Sequence, residues 1–387
     1  MFQPEEIEDL RRVVRACART DHQLLVGLRA EARELKAKAR KIQPRSATAV
    51  SLVASDGGNN QLHFDPFHVQ LVRVVDSYGK QLCLDAVSVS SDLNRLDQAQ
   101  FHKDGRPRTP LGRMMCDLDV RSRRLNDLSH MMPDPDRARA RPEEVPASWV
   151  QAYRDLCEWA VLYELICHRS FPTDTLVVRD GQLRSKVFRG EHFIRIRERI
   201  EEAIQRVYRE DRRRVFLVGI AKRSKVLDRY NLAFALENVL PEGEARYVEI
   251  PREMERKCYD RWWDQRGPED AAENERAFRF VAGRMYFVRF GPQGGDPIWS
   301  VDILNSQTSF HQEIFGYLQN DALEGFPVAF YPMCLQKAHS FAQIVDFDLD
   351  VLQNEVVQAI REQLPSSERA IFDALPLRQE IADRRYA

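Results

Sequence analysis

Thr175-Leu-Val-Val-Arg-Asp180-Gly181 is a short apolar run that stops at an acidic residue followed by glycine, and Ser51-Leu-Val-Ala-Ser-Asp56-Gly57-Gly58 does the same earlier in the chain. A strand that ends this way delivers a carboxylate to the rim of a sheet, with little side-chain bulk after it to block a ligand. Two such rims can hold a divalent cation between them through oxygen ligands. Either Asp-Gly alone is an ordinary turn signal. What gives the pair meaning is the order of the elements around it.

Residues 4 to 42 are rich in Glu, Arg, Lys, Ala and Leu, with Leu10, Val13, Val14, Leu24 and Leu28 at helical spacing, which predicts one or two helices ahead of the body. The first strand is expected from Val50 to Ser55. Two more follow, Val69–Val75 and Gln81–Val89, joined by the turn Asp76-Ser-Tyr-Gly79-Lys80. Between Lys103 and Pro146 prolines and charges displace the apolar pattern, and the stretch reads as a partly helical, mobile insertion. A helix over Ser148–His168, the strand ending at Asp180, a charged helix over Glu191–Arg213, the strand Arg214–Ala221 and a helix over Lys225–Leu240 complete the pattern. Three antiparallel strands, a helix and two strands separated by helices resemble the connectivity of the ribonuclease H-like core. The expected fold class is therefore α/β, a ribonuclease H-like mixed sheet with a helical N-terminal extension and insertions. The domain reading is a helical segment over 1–45, a body over 46–346 with a charged insertion at about 103–147, and a helical tail over 347–387.

The 387 residues carry 58 basic and 59 acidic side chains, so a basic nucleic-acid surface has to be local. Seven scattered cysteines with no CxxC pair speak for a reducing compartment and against a zinc module. The acidic start Met1-Phe-Gln-Pro-Glu-Glu has no apolar core of a secretory signal, and no run of about 18 apolar residues is present, so a cytoplasmic protein without a membrane span is expected.

Asp56 and Asp180 end the first and fourth strands. A third acidic candidate is Glu164, in Glu158-Trp-Ala-Val-Leu-Tyr-Glu164, with Ala160, Val161, Cys167 and His168 on its helical face. An ionised carboxylate turned toward such a face is costly unless paired or bound to metal. Three carboxylates suffice for Mg²⁺ or Mn²⁺, and two ions roughly 3.5 to 4 Å apart activate the attacking water and stabilise the leaving oxygen of an in-line displacement. The fifth strand runs into Lys222-Arg-Ser-Lys225, which brings basic groups suited to a phosphate to the same sheet edge. Later, Phe326-Pro-Val-Ala-Phe-Tyr331-Pro reads as a short strand and Met333–Ser340 as the start of a helix carrying His339, a metal ligand or proton donor by type. His63 and His68, around a loop between the first two strands, carry little weight. The cluster Tyr259, Trp262 and Trp263 has basic residues interleaved and suits either base stacking or a packed helix.

From Ser51 to Asp346 these residues resemble the NurA family of prokaryotic nucleases. The resemblance is carried by the Asp56-Gly strand end, Glu164, Leu-Val-Val-Arg-Asp180-Gly, Gly219-Ile-Ala-Lys222, and Tyr331 paired with His339. Asp56 is followed by Gly-Gly where the family commonly has Gly-Ser. The resemblance implies a ribonuclease H-like fold, a homodimer enclosing a channel, and Mn²⁺-dependent DNA cleavage with single-strand endonuclease and 5′ to 3′ exonuclease activity. It also implies a partnership with the hexameric ATPase HerA in DNA end processing or anti-phage defence. On this basis Asp56, Glu164, Asp180 and His339 are expected to ligate metal, Lys222 to contact the phosphate, and Tyr331 to contact substrate or metal-bound water.

The sequence shows no GxxxxGK[ST] loop, so translocation energy is expected from a partner. The competing expectations are a non-catalytic adaptor capping a HerA-type ATPase and an RNA-directed nuclease of the same fold. The N-terminal helices and the insertion are expected to supply partner or dimer contacts.

Overall fold

The computed structural model describes residues 4–46, 51–64, 67–259, 280–343 and 346–373. The chain divides into two units, Met1–Ser55 with Leu162–Ala338, and Asp56–Val161 with His339–Ala387.

The first unit opens with one 33-residue helix, α1 (Pro4–Lys36), and a two-residue strand, β1 (Arg40–Lys41). Strand β2 (Ser51–Phe64) begins here and continues into the second unit. Beside its start runs β5 (Thr175–Asp180), parallel, with Ser51 opposite Thr175 and Ser55 opposite Arg179. β5 in turn pairs in parallel with β6 (Val215–Ala221). The crossover between them is helix α7 (His192–Asp211). Leu176, Val178, Phe216, Val218 and Ile220 face a core that includes Ile314, Phe315 and Leu318 of a helix at His311–Leu323, here α10. Val177, Val215 and Leu217, of opposite parity, are also buried. Cover on both faces explains why these two strands are continuous apolar runs rather than alternating ones.

The sheet of this unit extends beyond the sequence expectation. Strands β7 (Arg246–Glu249), β8 (Gly283–Arg289) and β9 (Ile298–Leu304) continue it in the order β1-β7-β8-β9-β6-β5-β2, each antiparallel to its neighbour up to β6. Helix α8 (Lys225–Glu237), capped by the Ser224 hydroxyl, joins Leu28, Ala32 and Leu35 of α1 and Phe287 of β8 in a second core through Val226, Tyr230 and Phe234.

In the second unit β2 continues to Phe64, next to β3 (Phe67–Asp76), which pairs antiparallel with β4 (Gln81–Ser88). The turn between β3 and β4 is where the sequence placed it. Asp76 Oδ1 accepts the N–H groups of Tyr78 and Lys80 at 3.0 and 2.9 Å, and Gly79 takes a positive φ of 80°. β2 thus has β5 as neighbour in one unit and β3 in the other, the meander-then-parallel order of the expected ribonuclease H-like mixed sheet.

The charged stretch after β4 is helical: α2 (Leu93–Ala99), α3 (Pro110–Asp117), α4 (Leu125–Leu128) and α5 (Pro135–Ala140). Asp92, Thr109 and Asp134 cap three of them with their side chains. Leu111, Met114, Met115, Leu118 and Leu128 are buried, so this stretch is packed rather than a solvated loop. Helix α6 (Trp149–His168) runs from the second unit into the first. Helices α12 (Asp346–Gln363) and α13 (Ser366–Asp373) follow a further helix, α11 (Met333–Ala342).

Two local readings change. Phe326–Pro332 is a turn segment rather than a strand, with a cis peptide at Phe326-Pro327 and Phe330 at φ 56°. A proline at each end and a side chain that clamps the backbone in between, described below, hold it out of any sheet. His63 and His68 lie within β2 and β3 rather than in a loop, with side chains outside the described residues, as are Trp262 and Trp263. Among the described residues no helix is long and apolar enough to cross a membrane.

Candidate catalytic site

Asp180 is the last residue of β5 and the first of that strand to leave full burial. Its position is fixed by the parallel register, which sets Asp180 opposite Ile220, and by the Gly181 N–H donated to the Ile220 carbonyl at 2.8 Å. Gly181 turns the chain away at φ 113°, a conformation that suits glycine. Opposite it, a β-carbon on Gly219 would come within 2.4 Å of the Gly181 carbonyl oxygen. The two strand ends therefore approach backbone to backbone.

Lys222 is the first residue after β6, at the same edge. Its Nζ donates to Asp180 Oδ2 at 3.0 Å. The third member comes from the Phe326–Pro332 turn, where Tyr331 donates its hydroxyl to Asp180 Oδ1 at 3.4 Å. Lys222 Nζ also lies 5.3 Å from the Tyr331 ring centroid, within cation–π range. Each carboxylate oxygen of Asp180 thus faces one donor. The Asp180 side chain is 17% exposed and that of Lys222 42%, so the pair is open to solvent and to a ligand.

Tyr331 itself is fully buried and rigidly held. Its ring stands 4.7 Å from that of Trp299, whose indole N–H donates to the Phe330 carbonyl at 2.6 Å. Gln336 clamps the turn, accepting the Val328 N–H at 2.9 Å and donating to the carbonyls of Val328 and Tyr331 at 3.0 and 2.8 Å. A phenol anchored this way reaches the rim with its hydroxyl alone.

Behind the rim lies a buried polar layer that sequence reasoning did not find. Gln182 donates to the hydroxyls of Ser224 and Ser300 at 3.2 and 3.1 Å and accepts from Tyr259 at 3.2 Å, which makes Tyr259 a packed structural residue. One residue on, Asp302 Oδ2 accepts the Leu183 N–H at 3.0 Å. Arg184 bridges Asp302 and Glu255 at 3.1 and 3.0 Å, and Arg252 reaches Glu255 at 3.0 Å. Burial works against the Arg184 charge, but the Asp302 and Glu255 carboxylates more than offset it and hold its pKa above the ordinary value. Burial pushes the Glu255 carboxyl the other way, above the usual carboxylate range, against the pull of Arg184 and Arg252. These partners sit 71 and 118 residues from Arg184, beyond the reach of any local pattern.

Three of the six residues read from the sequence, Asp180, Lys222 and Tyr331, therefore meet. Glu164 lies in the part of α6 that belongs to the same unit, partly buried between Tyr163 and Leu165. Asp56 follows Ser55, the last β2 residue registered against β5, and its side chain lies outside the described residues. His339 belongs to the second unit, exposed on α11, with its Nε2 3.2 Å from Gln343 Nε2. Among the described residues, no group of three or more His, Cys, Asp or Glu is arranged to hold a metal ion.

No family model and no curated protein matches the chain. Among solved structures it is similar to the NurA nuclease from Sulfolobus solfataricus, at 12% identity and a TM-score of 0.41, over 94% of this chain and 99% of that one. It is similar also to NurA bound to dAMP and manganese, at 10% identity and a TM-score of 0.43, over 96% and 100%. A further NurA structure is 14% identical, with a TM-score of 0.39 over 96% and 100%. The likeness is remote.

Proposed function

We propose that this protein is a metal-dependent deoxyribonuclease whose reaction centre lies at the Asp180 end of β5. The observation that carries this reading is the convergence of a carboxylate, an ammonium and a phenol from three separate segments on one open sheet edge. That set matches what cleavage of a phosphodiester demands: an oxygen ligand for a cation, a positive group for the phosphate, and a donor that fixes the carboxylate or a water.

The described carboxylates, Asp180 and Glu164, are hard oxygen donors of the kind that suit Mn²⁺ or Mg²⁺. With Asp56 they would hold one or two ions, and His339 is the proposed nitrogen ligand. When bound, such ions supply Lewis acidity toward the phosphoryl oxygen and a nucleophilic hydroxide at neutral pH. The protein's own groups do the rest. Tyr331, immobilised by Trp299 and Gln336, holds the rotation of the Asp180 carboxylate through its hydroxyl. Lys222, held by Asp180 and half in solvent, is free to turn to a phosphate oxygen and offset the charge that develops there. We take DNA as the substrate, a homodimer as the working form, and a HerA-type hexameric ATPase as the separate motor.

Linear duplex, single-stranded DNA and RNA incubated with the protein plus Mn²⁺, Mg²⁺ or EDTA test the reading. Cleavage of DNA with Mn²⁺ that stops in EDTA and in Asp180→Asn supports it. Protein that leaves all three substrates intact but binds a HerA-type ATPase overturns it in favour of the adaptor.

A further inference from the structure

The end of β5 opposite Asp180 opens into a cavity of about 890 Å³. It forms where β5 and β6 begin, and its walls are the last turns of α7, the first residues of β6 and the 3-10 turn Asn305–Phe310. With about 3.3 Å per residue, the length of β5 separates this end from Asp180 by about 17 Å. The cavity lies wholly within the first unit and shares no residue with the candidate catalytic site.

Two large aromatic rings stand open here, Tyr208 at 50% exposure and Phe310 at 39%. Phe310 is anchored against Phe216 of the core at 5.6 Å between ring centroids, so it offers a surface without being free to collapse. Charge is arranged beside them. Arg214 is committed, donating to Asp174 at 3.3 Å and to Glu313 at 3.0 Å. Arg209 and Arg212 are exposed, and among the described residues neither is paired with a carboxylate. Cations in the last turn of a helix complement its dipole, which accounts for their being basic. It does not account for two guanidinium groups next to two solvated rings around a concave volume of small-molecule size.

The ligand chemistry that matches is a flat aromatic ring joined to phosphate. Tyr and Phe rings stack on the flat face of any base, and guanidinium groups bind phosphate through paired N–H donors. The Gln205 amide and the Ser306 hydroxyl, also on the wall, supply donors and acceptors for a base edge. We propose that this cavity is a second ligand site that binds a free nucleotide, with Tyr208 and Phe310 as stacking surfaces and Arg209 and Arg212 as phosphate contacts.

Isothermal titration of the full-length protein in EDTA with ADP, adenosine and pyrophosphate tests it. ADP should bind, with adenosine and pyrophosphate each at least about tenfold weaker. Arg212 caps α7 at φ 56°, so Arg212→Gly removes the guanidinium while relieving the backbone. That variant and Arg209→Gln should each weaken ADP about tenfold with no loss of thermal stability, and Phe310→Leu, which also gives up the contact with Phe216, should weaken ADP about as much. Asp180→Asn should leave ADP binding unchanged. The proposal fails if ADP does not bind saturably, if the arginine variants bind it undiminished, or if Asp180→Asn abolishes binding and so moves the nucleotide to the other end of the strand. It fails equally if a single-stranded oligonucleotide binds through these residues while ADP does not.

Discussion

At the end of β5, Asp180 meets Lys222 and Tyr331; a few residues along, Asp302 meets Arg184, which lies over Tyr259. The two sets have the same chemical make-up, a carboxylate, a cation and a phenol, and in both the cation sits 5.3 Å from the ring centroid. They differ in water. The Lys222 and Asp180 side chains are 42% and 17% exposed, whereas those of Arg184 and Asp302 are 4% and 0% exposed. In the dry set every charge is committed, so it can only hold β9, α9 (Arg252–Cys258) and the segment after β5 together. In the open set Lys222 and Asp180 both reach solvent, while the Tyr331 ring behind them is buried. Exposure, rather than residue type, separates the buried scaffold set from the set that a ligand can reach.

The sharpest way to break this comparison is Arg184→Ala, which leaves the buried Asp302 carboxylate without its Arg184 partner and Glu255 with Arg252 alone. It should cost about 3 to 5 kcal/mol in chemical denaturation. A loss near the value of a surface pair would show that water reaches the network and that the contrast is false. Next, Asp180→Asn should lower DNA cleavage at least about a thousandfold, some 4 kcal/mol, while the denaturation midpoint stays put. A destabilised variant would move Asp180 to the scaffold side. Lys222→Ala should reduce turnover about a hundredfold with a stability change below about 1 kcal/mol, as kinetics and unfolding measured on one preparation would show.

Asp97 in the second unit sharpens the comparison from a third direction, as a buried carboxylate held by one backbone N–H, from Leu125 at 2.8 Å. Burial raises its pKa from 3.8 to about 6. A raised carboxyl pKa means the native state prefers the proton, so this group favours folding below about pH 4, and that advantage is lost as pH rises through about 6. Asp97→Asn should therefore stabilise the protein at pH 7 by about 1 to 2 kcal/mol and have little effect at pH 4, as unfolding at the two values would show.

How much of this was legible in the chain follows from the range of the forces involved. β5, β6, α6, α7 and the β3–β4 turn were readable because apolar period, caps and Asp-Gly stops are local. Asp180 and Lys222 could be placed at one edge because parallel strands joined by a helix end on the same side. The paired runs Met285–Val288 and Trp299–Leu304 carry a strand signal in their apolar residues, and Gly291-Pro-Gln-Gly-Gly-Asp-Pro297 between them is a turn signal, so this hairpin was legible and the expected sheet, which ends at β6, missed it. Phe326–Tyr331 misled in the other direction, since an aromatic run reads as strand until Gln336 is known to clamp it. The Arg184 network had no local signal at all, and the cavity at Tyr208 and Phe310 joins residues about a hundred positions apart.

The close approach of Gly219 to Gly181 has a consequence for anyone who sets out to vary this protein. Because the clash would fall on a carbonyl of the main chain, which no rotamer change can relieve, a saturation library at position 219 should return glycine alone among active clones. A methyl group there would wedge apart the two termini that carry Asp180 and Lys222, so one missing carbon sets the gauge of that edge.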